Sequence, residues 1–118
     1  MTRNAPPSSA APLGPYRVRT VNAAINAANK IHDDATAARY GFRGGLVAGT
    51  LMYAHMTTPL VERLGAAWLE RSVSELRLLQ PAYDGEELTV EGACAEGAWR
   101  LSLRNAARAE LAVLETRR

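Results

Sequence analysis

The sequence predicts an α+β fold in which an antiparallel sheet wraps around one long central helix. Apolar residues recur at helical spacing over residues 47–64, which marks a single long buried helix. After Gly65 the apolar period shortens towards two, the period of strands with one buried face. A further alternating segment at residues 16–21 precedes the helix, so one strand, one helix and four further strands compose a single layered unit.

Taken in order, residues 1–15 hold four of the six prolines together with Ser8, Ser9 and several alanines. Such a composition buries too little apolar surface to order itself and predicts a disordered tail, with one domain over residues 16–118. Residues 16–21, Tyr-Arg-Val-Arg-Thr-Val, alternate and predict the first strand. Residues 22–29 are rich in Ala and Asn and are compatible with a strand end, a loop or a short helix. Asp33 or Asp34 then serves as N-cap for a short helix over residues 35–40, with Gly41 as its stop. In the long helix Val47, Leu51, Ala54, Thr58 and Val61 form one stripe, which Leu46, Met52, Met56 and Leu60 widen. An apolar surface of that breadth predicts burial, and Pro59 predicts a kink or an end to the regular part. Residues 68–79, 87–95, 98–105 and 110–116 read as strands, separated by turn residues at 81–85, 96–97 and 106–108, and their spacing suits an antiparallel meander.

Composition narrows the function classes. The chain of 118 residues is enough for one core, and its 47% hydrophobic and 22% charged content is that of a soluble globular protein. Apolar runs are broken by Arg, Glu or Gly well before about 18 residues, so no membrane span is expected. The first fifteen residues lack the apolar segment of a signal peptide, which makes a cytoplasmic location the expectation. A net charge of +2, owed in good part to Arg117 and Arg118, with scattered basic residues, argues against nucleic acid as a partner. The single cysteine, Cys94, excludes an internal disulfide and leaves too few thiols for a zinc site, so no metal and no cofactor are expected.

Chemistry concentrates between Asn29 and Gly49. A polar elbow, Asn29-Lys30-Ile31-His32-Asp33-Asp34, leads to a glycine-rich bend and then to the start of the long helix. Polarising a thioester carbonyl needs fixed backbone N–H donors, and a helix start supplies them with the positive end of its dipole. Gly49 lies near that start, where a missing side chain lets a ligand oxygen approach the backbone. Proton transfer at neighbouring carbons needs a group titrating near neutrality, and of the two histidines His32 has the polar, loop-like context.

From Asn29 to about Thr57, and more loosely through Pro81-Ala82-Tyr83-Asp84-Gly85-Glu86, the chain resembles the MaoC-like branch of the hotdog superfamily, which includes the R-specific enoyl-CoA hydratases. The resemblance implies a hotdog homodimer that binds an acyl-CoA or acyl-carrier thioester near the subunit interface. The family's active-site segment reads Asp-x-Asn-Pro-Ile/Leu-His, its Asp and His holding the water that adds across the enoyl double bond. Here Asn29 and His32 match, Lys30 replaces the proline, and Ala27 occupies the aspartate position. The resemblance further implies that Gly49 N–H polarises the carbonyl and that Thr57 lines the pocket, while Ala48 stands where the family often has histidine.

The implied activity is enoyl-CoA hydratase or 3-hydroxyacyl dehydratase chemistry, with His32 as acid/base group and Asn29 positioning it or the water. Since alanine can be neither acid nor base, a non-catalytic thioester-binding protein or partner subunit is the alternative, with thioester hydrolysis a third. Each residue also has a plainer role. His32 can brace its loop beside the Asp33 and Asp34 cap; His55, mid-helix, reads as a satisfied structural histidine; and Arg43 reads as a solvated surface arginine rather than a ligand for CoA phosphate. Met52, Met56, Trp68 and Trp99 read as core or interface packing, and Cys94 as an inert buried thiol.

Overall fold

The structure, a computed structural model, describes residues 11–21, 34–39 and 46–118. Its elements are β1 (Ala11–Arg19), α1 (Asp34–Arg39), α2 (Gly49–Leu64), α3 (Ala67–Arg71), β2 (Val73–Leu78), β3 (Glu87–Ala95), β4 (Ala98–Arg104) and β5 (Glu110–Arg117). The five strands form one sheet in the order β1-β3-β4-β5-β2, every neighbouring pair antiparallel. The α+β expectation holds, with α2 packed on one face of the sheet.

Alternation along the strands builds the core. Leu88 and Val90 of β3, Leu101 and Leu103 of β4, and Ala112 and Leu114 of β5 point to one face and are fully buried. Met52, Met56 and Leu60, at i, i+4 and i+8 on α2, meet them. The buried line therefore runs through the residues expected only to widen the stripe, while Ala54 is exposed and Leu51, Thr58 and Val61 are half-buried. The helix is turned about its axis relative to that expectation, and one side of it stays open to solvent. Pro59 sits within α2 rather than ending it. Just before it, the Thr57 hydroxyl donates to the carbonyls of Tyr53 and Ala54, and that of Thr58 donates to Ala54.

Three further expectations are corrected. β1 begins at Ala11, so residues 11–15 belong to a strand and not to a tail; residues 1–10 lie outside the described residues. An edge strand needs N–H groups on one side only, and a register shift between Leu13 and Tyr16 accommodates Gly14-Pro15, which is how proline enters a strand. Leu13 is then buried in the core. Residues 68–72, expected at the start of a strand, instead contain most of α3, a single turn too short to show helical periodicity. Finally, only β3, β4 and β5 form a meander; β2 crosses to the far edge and pairs with β5.

The turns follow local chemistry. Glu96 and Gly97 join β3 to β4 with positive φ at both positions, the primed hairpin geometry that matches strand twist. Asn105 closes the β4–β5 turn, its side-chain oxygen accepting the Ala109 N–H. No helix among the described residues is long and apolar enough to cross a membrane.

Candidate functional site

The turn at residues 81–86 positions the candidate site by tying three parts of the chain together. Ala82 carbonyl accepts the Val47 N–H, and Leu46 bridges Tyr83, so the turn holds the entry into α2. Thr20 N–H donates to Glu86 carbonyl, and Thr20 carbonyl accepts the Gly85 N–H, so the same turn holds the end of β1. Gly85 has φ of +82°, a conformation favouring glycine, and its carbonyl accepts from the Arg19 guanidinium. Glu86 closes the turn, its carboxylate accepting the Tyr83 N–H.

His55 adds a second tie. Its Nε2 is hydrogen-bonded to Thr20 Oγ1 at 3.0 Å, and Thr20 is fully buried. Partial burial lowers the His55 pKa below its ordinary value, because desolvation disfavours the imidazolium. The residue is the partnered histidine expected from its mid-helix position, and it fixes the end of β1 against α2.

At the N-terminus of α2, Ala48 takes the N-cap position with extended φ and ψ of −62° and 141° and offers no side-chain cap. The Leu51 and Met52 N–H groups turn back to the Ala48 carbonyl, and the first turn carries no acidic residue. The positive end of the helix dipole is thus left without a neutralising carboxylate of its own turn. Beside it opens an apolar groove of about 310 Å³, walled by Val47, Gly49, Met52, Leu78, Leu79 and Pro81. An ideal Cβ on Gly49 would lie 3.0 Å from Leu78 Cδ1, so even a methyl group would narrow the groove. Gly49 N–H, which has no partner among the described residues, stands beside this apolar cleft, and such a pairing can hold an acyl group by its tail and its carbonyl oxygen together.

Of the residues singled out in the sequence, Gly49 lies on this groove and Thr57 does not. Thr57 follows two helical turns later, about 12 Å along the axis, is buried, and spends its proton on its own helix. Ala27, Asn29, Lys30, His32, Asp33 and Arg43 lie outside the described residues. Asp34 opens α1 and Arg39 closes it, a charge order that suits the helix dipole. Met52, Met56 and Trp99 are buried in the core as expected, with Trp68 packed against it and donating to Thr116 Oγ1. Cys94 is only partly buried against that core. Sequence reasoning missed Leu78 and Leu79 as groove walls; two consecutive leucines ahead of Pro81, more than a strand with one buried face can hide, were the available signal.

No protein-family model and no curated protein matches the chain. Solved structures do. The (R)-hydratase from A. caviae involved in PHA biosynthesis is 19% identical with a TM-score of 0.72, over 95% of this chain and 96% of that one. A chain of the ChsH1-ChsH2 complex from Mycobacterium tuberculosis is 15% identical with a TM-score of 0.71, over 91% of this chain and 93% of that one. HtdX of Mycobacterium tuberculosis is 21% identical with a TM-score of 0.74, over 87% of this chain, which spans only 47% of HtdX. The chain thus has the hotdog fold that these solved structures share.

Proposed function

We propose that this protein binds an acyl-CoA or acyl-carrier thioester at the start of α2 and catalyses reversible hydration of the enoyl thioester, as a cytoplasmic homodimer needing no cofactor. The observation that carries the reading is the uncapped N-terminus of α2 opening onto an apolar groove at Gly49. In this reading Gly49 N–H polarises the thioester carbonyl. His32 takes a proton from water as the water oxygen bonds to the β-carbon, and returns that proton to the α-carbon, while Asn29 orients the water. Thr57, which the resemblance implies lines the pocket, stands two helical turns from the groove and is given no part in proton transfer.

The sequence supports a second reading, because Ala27 replaces the aspartate that the resemblance leads one to expect. In it the protein binds the thioester without converting it, alone or as partner of a competent subunit. Loss of enoyl absorbance from crotonyl-CoA separates the two. Catalysis predicts measurable turnover that His32→Ala lowers about 10²- to 10⁴-fold with thioester binding retained. Binding without turnover, with turnover gained in Ala27→Asp, would establish the second reading in place of the first.

A further inference from the structure

The groove beside Gly49 has two kinds of wall. Leu78 and Leu79 are 55% and 48% exposed and form its open side. Val47 and Met52 are buried, at 4% and 3%, and form its inner side. Val47 is held by its backbone, its N–H donating to Ala82 carbonyl at 2.9 Å. Met52 lies within α2, so it closes the groove with its side chain. Met56, one turn further along the same buried line, is fully buried and does not reach the groove. We infer that Met52 is the inner stop of the groove and sets the length of acyl tail the site accepts, a straight hydrocarbon chain of at most about ten carbons. The inference rests on the thioester site proposed above and names the class of tail it takes.

The upper bound follows from volume. A methylene group fills about 30 Å³, close to the share of one water in the liquid, so a groove of about 310 Å³ encloses no more than about ten carbons. The chemistry of the tail follows from the walls. Gln80, exposed at the rim, is the only polar side chain among the lining residues, so nothing inside would pair with a polar substituent on the tail.

The stop follows from helix geometry and packing. Met52 stands three residues after Gly49, about 4.5 Å along the axis from the N–H assigned to the carbonyl oxygen. Behind it the core holds Met56, Leu60 and Leu114, all fully buried, so the side chain has no space into which to retreat. Each methylene that enters the groove tightens binding about fourfold, and one that would have to pass Met52 adds nothing. Affinity therefore rises with tail length and then breaks. Met52→Ala removes three heavy atoms on the side facing Met56, which lengthens the groove by about two to three carbons.

Calorimetric titration of the full chain with saturated straight-chain acyl-CoAs, in single-carbon steps from butyryl to tetradecanoyl, tests this without depending on turnover. The wild type is expected to gain about fourfold per carbon up to a break no later than decanoyl-CoA. In Met52→Ala the break moves out by about two to three carbons. Because that substitution opens a cavity in the core and can prevent folding, Met52→Val, which removes a single heavy atom, is measured beside it and should move the break by about one carbon. Affinity that climbs without a break to tetradecanoyl-CoA, or a break that stays in place in whichever variant folds, overturns Met52 as the stop and leaves the thioester site standing. Acyl-CoAs that bind no better than free CoA at any length overturn the site itself.

Discussion

His55 shows at the scale of one residue how burial becomes a property of the whole fold. Its imidazole is half-buried against Thr20, and desolvation holds its pKa below the ordinary 6.5. The unfolded chain, with the higher pKa, binds the proton more readily, so stability rises with pH between the folded and unfolded values. Stability is accordingly full above about 6.5 and lost as pH falls through the lowered folded pKa. His55→Gln keeps a hydrogen-bonding group near Thr20 and removes the titration. Urea unfolding from pH 8 to 5 should show the variant with a shallower acid decline than the wild type; parallel profiles would show that His55 contributes none of it. Its partnered state was legible from a polar residue in an apolar helical run, but Thr20 as the partner was not, since 35 residues of chain separate them.

At the scale of elements, the strands were legible wherever one face meets the core and the other meets water. β3 follows the alternation of Leu88 and Val90 to its expected ends, and β4 and β5 do so within a residue. The failures share a cause, because each is an element whose surroundings overrule its composition. Residues 11–15 carry two prolines that an edge strand with a shifted register can hold. Residues 67–71 make one helical turn, too few for a period to show. Gly92 is a position of the opposite kind, where the element depends on one missing atom. An ideal Cβ there would overlap Arg100 carbonyl oxygen and stand 2.8 Å from Leu101 Cα, both backbone atoms of the paired strand. Side-chain rotation cannot relieve that clash, so Gly92→Ala has to pry β3 from β4. Thermal unfolding should register a loss of about 3 kcal/mol, or about 10 °C, and a shift under about 2 °C would mean that the strands separate freely there.

On the scale of the molecule, groove, helix start and sheet edge are parts of one arrangement. The segment entering α2 is held by the 81–86 turn, the turn also holds the end of β1, and the groove opens between α2 and the chain that follows β2. A ligand seated there should therefore stabilise the fold as a whole. At a hundredfold excess over its dissociation constant a ligand contributes about 2.7 kcal/mol, roughly 10 °C for a domain of this size. Crotonyl-CoA should produce that shift and free CoA much less, since only the thioester brings an acyl chain and a carbonyl oxygen. Gly49→Ala separates site from scaffold. Among the described residues the new methyl meets only Leu78 Cδ1, the end of an exposed side chain that can move, and alanine suits a helix better than glycine. The unliganded variant should melt within about 2 °C of the wild type while losing most of the crotonyl-CoA shift. If the variant keeps the full shift, the thioester lies elsewhere and the α2 N-terminus is only a helix end.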